Sequence, residues 1–256
     1  NYPQIFIVNF SGVKTVIIKI CSITINYFTK EGVIVAKQNL SLITLTLGLG
    51  ALIGTLNITM FNVALPIMMT YFDTTLATVQ WLTSGYMLAA GMIIPAAGFF
   101  GNHFGYKKIF CFIITSVLAL SIVGSFAWCI EALIVIRFLF GLTGGLLSPL
   151  SLAMLYRVVP AGQQAKAAST WGMANIMGGM LPSCLSGFIL SVADWRFLLL
   201  FNVPFALLTL LLSVKLLPKD TQTKTDKLDI SGLLLTSVGS LILLMSFSNL
   251  SAWGFS

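Results

Sequence analysis

Seven long apolar stretches, each able to cross a bilayer, dominate this 256-residue chain. A helix needs about 20 predominantly apolar residues to span the hydrocarbon core. Runs that meet this requirement lie at about 42–66, 79–100, 108–128, 132–156, 166–192, 196–217 and 230–251. Most of the links between them are short, which predicts antiparallel neighbours. Charge content agrees: 8% of the residues are charged and the mean hydropathy is +0.99, whereas a soluble domain carries about a quarter charged residues. The sequence therefore predicts an all-α integral membrane protein and excludes a soluble globular domain.

The few charges fall in a pattern. Basic residues mark every second link: His103, Lys107 and Lys108 at 101–108, Arg157 and Lys166 at 157–166, and three lysines in LPKDTQTKTDKLD (217–229), with Lys215 just before it. The intervening turns hold Asp73, then Glu131, then Asp194 with Arg196. Cytoplasmic loops carry an excess of Lys and Arg. The basic turns and the amino-terminal side are thus expected in the cytoplasm, and the protein in the cell membrane. The same rule accounts for the net charge of +7. No basic helix or aromatic platform of the kind that binds RNA is present, so the lipid bilayer is the expected partner and nucleic acid is not.

Residues 1–40 are apolar but broken by Lys14 and Lys19, and no convincing signal-cleavage site follows. An interfacial helix, an extra span and sequence upstream of the true start all fit this segment, and no function is assigned to it. The expected organisation is a segment of uncertain status at 1–40, a six-helix bundle at 41–217, a cytoplasmic linker at 218–229, and a seventh transmembrane helix with its end at 230–256.

All seven acids fall in the amino-terminal segment, in turns or at helix ends. Arg137 is the one charge deep in a span. A guanidinium in hydrocarbon costs at least about 2.5–3.5 kcal/mol, so such a residue faces a cavity or a partner. The plainer reading is that Arg137, about six residues past Glu131 and roughly 9 Å down the helix, snorkels to the interface. Cys21, Cys111, Cys129 and Cys184 lack metal-motif spacing, and His103 is the single histidine. Neither metal nor cofactor is expected. An intramembrane protease would need paired acids, Ser–His arrangements or zinc ligands inside the spans, so the chain does not read as an enzyme.

Several short motifs recur in order on these helices. At the second junction, GFFGNHFGYKK spaces Gly98, Gly101 and Gly105 around Asn102 and ends in Lys107 and Lys108. The first span contains LNITMFNVALP (56–66), with Asn57, Thr59 and Asn62. The fourth places Gly141 and Gly144 after Arg137. The fifth, WGMANIMGGMLPSCLSG (171–187), holds Gly178, Gly179, Pro182 and Gly187. The sixth opens with WRFLLLFNVPFAL (195–207), and LDISGLLL…AWGF covers 228–255. Together these resemble the N-terminal half of a major facilitator superfamily transporter, in the drug:proton antiporter branch with fourteen helices, plus the first linker helix of that branch.

That resemblance implies export of hydrophobic or cationic compounds by alternating access, with the second transporter half as a partner. It implies that the loop at 98–108 latches the two halves, with Asn102 standing where the family has an acid. It places a proton-coupling carboxylate where this chain has Asn57. Arg137, Asn57, Thr59, Asn62, Trp171 and Asn175 are the expected substrate or coupling residues. Gly98, Gly101, Asn102, Gly105, Lys107, Lys108, Gly141, Gly144, Gly179, Pro182 and Gly187 are the expected gating and packing residues. Plainer alternatives stand beside these roles: Asn57, Thr59 and Asn62 as interhelical hydrogen bonders, the glycines as close packing, and Trp171 and Asn175 as packing anchors. With both family acids replaced and one bundle present, a non-transporting fragment or decayed remnant is the alternative function.

Overall fold

In the computed structural model, residues 40–218 and a few helical positions between 231 and 242 are described. The segment before residue 40 lies outside them, as do nearly all of the linker and most of the expected seventh span. Six helices are long and apolar enough to cross a membrane: α1 (Leu40–Tyr71), α2 (Leu76–Phe104), α3 (Tyr106–Ser125), α4 (Ile130–Val158), α5 (Ala161–Val192) and α6 (Arg196–Leu216). They match the first six predicted spans in order, and no strand occurs among the described residues.

Two boundaries differ from the sequence expectation for identifiable reasons. Helix α1 runs on past Pro66 to Tyr71, because neighbouring helices let a transmembrane helix carry a proline in its interior. The expected turn at 101–108 shrinks to one residue. Helix α2 continues through Phe104 and α3 begins at Tyr106, with Gly105 alone between them at φ 97° and ψ 136°. That backbone lies in a region that glycine adopts without steric cost. A short 3₁₀ segment, Ile94–Ala96, interrupts α2 where Pro95 falls.

Helix α1 is central and packs against α2, α4, α5 and α6, while α2 pairs with α4 and α3 with α6. Small residues set these approaches, as membrane helices associate through close backbone contact. Gly48 faces Ala174, Gly50 lies against the Phe110 ring, and Gly54 faces the Gly144 carbonyl. A Cβ at Gly141 would fall on the Tyr86 carbonyl oxygen and 2.8 Å from Ala89 Cβ, so α2 and α4 meet nearly backbone to backbone.

An aromatic cluster closes the end of the bundle away from the lysines. Trp195 is buried and lies edge-on to Tyr71 and tilted against Phe72, with centroids 5.8 and 5.6 Å away. The Arg196 guanidinium donates to Asp194 at 2.8 Å, to the Tyr71 hydroxyl at 3.1 Å and to the Ala127 carbonyl at 3.4 Å. One side chain thereby ties the start of α6 to the end of α1 and to the α3–α4 link.

Candidate functional site

Arg137 does not snorkel. It is 1% exposed, held between α1, α2 and α4. Its guanidinium lies 3.0 Å from the centroid of the Phe61 ring, with the Tyr86 and Phe140 rings each at 5.8 Å. Its Nη1 donates to the Asn57 carbonyl at 3.2 Å, and its Nε is buried without a hydrogen-bond partner. Among the described residues no acid pairs with it. Aromatic faces therefore take the place of a counter-ion; a desolvated contact of this kind contributes about 2 kcal/mol. Gly141 and Gly144 make the arrangement possible by leaving room for Tyr86, whose hydroxyl donates to the Gly54 carbonyl at 3.2 Å.

One helical turn of α1 carries two further polar groups with different partners. Asn57 is buried, and its side chain pairs with Asn202 of α6: Asn57 Nδ2 donates to Asn202 Oδ1 at 3.4 Å, and Asn202 Nδ2 to Asn57 Oδ1 at 3.1 Å. Thr59 turns toward α5, with its hydroxyl 3.4 Å from both the Gly178 carbonyl and the Thr55 carbonyl of its own helix. Asn62 is exposed on α1.

The Thr59 contact has a local cause. Pro182 is buried inside α5 and brings no N–H, so the carbonyl four residues earlier loses its helical donor. That carbonyl belongs to Gly178, and Thr59 faces it. Gly178 admits α1 because it has no side chain: a Cβ there would fall on Thr55 Oγ1 and 2.8 Å from the Leu52 carbonyl oxygen. Thr59→Val is therefore expected to lower stability by about 1–3 kcal/mol, the range for orphaning a buried polar group. Thr59→Ser should recover most of the loss. Thermal unfolding in lipid nanodiscs measures both, and an unchanged Thr59→Val protein removes the hydroxyl from this role.

Trp171 Nε1 donates to Ser151 Oγ at 2.9 Å and Asn175 Nδ2 to Ser148 Oγ at 3.1 Å, so both bridge α5 to α4. Gly179 and Gly187 face open space, since a Cβ at either meets nothing within 4 Å. The face of α5 around them is apolar and uncovered, with Met173, Ile176, Met177, Met180 and Phe188 exposed.

At the lysine-rich end, the α2–α3 junction clasps its own bundle. Asn102 Oδ1 accepts from Arg157 Nη2 at 2.6 Å and from the Tyr106 hydroxyl at 3.3 Å, while the Arg157 guanidinium lies 4.2 Å over the Tyr106 ring. Gly101 sits under that ring, where a Cβ would lie 2.5 Å from it. Lys107 Nζ donates to the Val214 and Leu217 carbonyls at 2.8 and 2.7 Å, capping the carboxyl end of α6; a cation there meets the negative end of the helix dipole. Lys108 is exposed, and Gly98 has no neighbour within 4 Å of a would-be Cβ. Sequence reasoning did not single out Asn202, Phe61, Tyr86 or Arg157 as site residues.

Residues 47–255 match the Major Facilitator Superfamily. The multidrug resistance protein B homolog of Mycobacterium tuberculosis (strain ATCC 25618 / H37Rv) is 30% identical over 206 residues, covering 80% of this chain and 38% of that protein. The lincomycin resistance protein LmrB of Bacillus subtilis (strain 168) is 29% identical over 213 residues, covering 81% and 43%. The chain thus spans about two fifths of the length of these relatives. In fold it is similar to the xylose transporter XylE from E. coli in a partially occluded inward-open conformation, with a TM-score of 0.64 at 18% identity over 80% of this chain and 55% of that one. The all-helical fold with its six long apolar helices agrees with these matches: the chain belongs to the Major Facilitator Superfamily, in the branch that holds these drug-resistance relatives.

Proposed function

We propose that this chain supplies the amino-terminal bundle of a multi-pass exporter that moves hydrophobic or cationic compounds by alternating access. The observation that carries this reading is the uncovered apolar face of α5, where Met173 and Met180 are 68% and 70% exposed. An apolar helix face in a membrane protein meets lipid or another helix, and Gly179 and Gly187 on it leave room for close approach. A second transporter half fits that face, in keeping with relatives about twice as long. Methionine is the side chain best able to adapt to varied apolar shapes, which favours substrates that are greasy rather than of one fixed outline. Transport facilitators rock two bundles around a midplane site, and Arg137 lies inside one wall of that arrangement. The α2–α3 junction serves as the latch between bundles on the cytoplasmic side.

In this reading the amino end and the lysine-rich turns are cytoplasmic, following the positive-inside rule. A second reading, a non-transporting remnant, is favoured by one observation: Asn57 and Asn102 stand where the family has acids, and neither titrates.

The deciding measurement is efflux of a fluorescent lipophilic cation from cells expressing the complete gene product. Efflux faster than in empty-vector cells is the expected result. No difference, with the protein shown to be in the membrane, overturns the exporter and leaves the remnant. Tags beside Tyr106 and beside Glu131 should label from opposite sides of the membrane.

A further inference from the structure

Tyr86 is 2% exposed on α2 and meets α4 at two glycines that share a face with Arg137. Arg137, Gly141 and Gly144 stand four and then three positions apart, which stacks them along one side of a helix. A Cβ at Gly141 would fall on the Tyr86 backbone carbonyl, and one at Gly144 would lie 2.7 Å from the Tyr86 hydroxyl oxygen. The rest of the ring stands clear of Gly144: Cζ and Cε2 would be 3.6 and 3.8 Å away, which is ordinary contact. The hydroxyl alone therefore occupies the hollow that Gly144 leaves. From there it donates to the Gly54 carbonyl of α1 at 3.2 Å, and Gly54 in turn faces the Gly144 carbonyl. Three helices thus converge on one oxygen, while the ring that carries it lies 5.8 Å from the Arg137 guanidinium.

We propose that Tyr86 is a positioning residue for Arg137: its hydroxyl, seated over Gly144 and tied to Gly54, fixes where the ring stands against the guanidinium. The backbone end of Tyr86 is held at Gly141 and the far end at Gly144, so both ends are set by the helix that carries Arg137. A tyrosine side chain turns about two bonds only, which leaves the ring no freedom to slide once both ends are pinned. Arg137 has few other restraints. Its Nη1 donates to the Asn57 carbonyl, its Nε has no partner, and ring faces supply the rest of its surroundings. Attraction between a cation and a ring acts within about 6 Å, so a small retreat of the Tyr86 ring from 5.8 Å ends it. Phenylalanine at this position would keep the ring and lose the anchor. The Gly54 carbonyl would not be orphaned, because it lies inside α1 and accepts the N–H four residues on. The hydroxyl thus adds little to stability through that bond, and its contribution is geometric. The seating depends on the bundle alone, whatever compound the protein exports.

The test uses the complete protein in lipid nanodiscs and two readouts. In thermal unfolding, Gly144→Ala is expected to lower the midpoint by roughly 3–8 °C, as overpacking does. Tyr86→Phe should change it little. The double variant Tyr86→Phe/Gly144→Ala should recover most of the loss, because the added methyl group takes the place of the missing oxygen. Gly141→Ala should fall too, but Tyr86→Phe should not restore it, since the collision there is with backbone. Additive effects of the changes at 86 and 144, or equal rescue at 141, overturn the seating of the hydroxyl. Should Gly144→Ala fail to fold, a double variant that folds supports the seating and one that fails as well overturns it. The second readout is the side-chain nitrogen resonance of Arg137 in arginine-labelled protein, assigned by its loss in Arg137→Lys. Tyr86→Phe should speed exchange of the guanidinium protons at least about twofold, the smallest coupling expected between side chains in contact. Val79→Ala, a loss of buried apolar volume two turns earlier on α2, should lower the midpoint without that change. An Arg137 exchange rate unmoved by Tyr86→Phe, or moved as far by Val79→Ala, sinks the positioning role.

Discussion

Replacing Arg137 with methionine is expected to leave the bundle folded and to reduce efflux at least roughly tenfold, a loss of about 1.4 kcal/mol in the effective barrier. Replacing it with alanine is expected to damage the fold as well. The two outcomes separate because the residue has two properties. As a volume, it fills the space between Phe61, Tyr86 and Phe140. Truncation there empties a packed region, and large-to-small changes of this kind cost about 2–5 kcal/mol. As a charge, it is an ion held inside a span with no acid paired to it among the described residues. Swapping buried charges for apolar groups of similar size is neutral or stabilising by about 1–4 kcal/mol in soluble proteins, so methionine removes the charge while keeping the packing. A protein selected for stability alone has no use for a guanidinium at this depth, which is why function is expected to fail with methionine when stability does not. Dye efflux together with unfolding temperature in nanodiscs reads both. A methionine variant that exports as fast as the native protein would reduce Arg137 to a space-filler.

How much of this was legible in the sequence varies with distance along the chain. The six helices were legible because the bilayer imposes a length and a composition on each span, and both are local. Arg137 stood out because a charge inside an apolar run is rare, and Asn57 because LNITMFNVALP resembles a family motif. Their surroundings were not legible. Asn202 lies in WRFLLLFNVPFAL, a stretch noted for its likeness to a family, yet nothing local marks it as the partner of a residue 145 positions away. Phe61 and Tyr86 look like any aromatic residues in a greasy run, and only the fold turns them toward a guanidinium. Arg157 was read as a marker of membrane sidedness, whereas it also binds Asn102. The α2–α3 junction was placed correctly but drawn too long, because glycine spacing indicates a turn without saying how few residues it needs.

Helix phase is the hardest property to read, and the adjacent glycines of α5 provide its sharpest test. Successive residues on an α-helix point about 100° apart, given 3.6 residues per turn, so Gly178 and Gly179 face different surroundings. A methyl group at Gly178 would collide with Thr55 Oγ1, with the Leu52 carbonyl oxygen at 2.8 Å and with Leu52 Cα at 3.0 Å. Backbone atoms cannot swing aside, so α1 and α5 must separate. Gly178→Ala is therefore expected to destabilise by about 1–3 kcal/mol, the range for overpacking, and to pull Thr59 off the Gly178 carbonyl as well. Gly179→Ala meets nothing within 4 Å and should be neutral, or stabilising by up to about 1 kcal/mol through helix propensity. Efflux adds what unfolding temperature cannot. If the open face of α5 packs closely on a second bundle, Gly179→Leu should slow export while barely changing the stability of the amino-terminal bundle, because its side chain enters the gap between bundles. Export that tolerates leucine at 179 would mean that this face looks onto lipid or a wide cavity, and the close-packed partner would have to be sought on another helix.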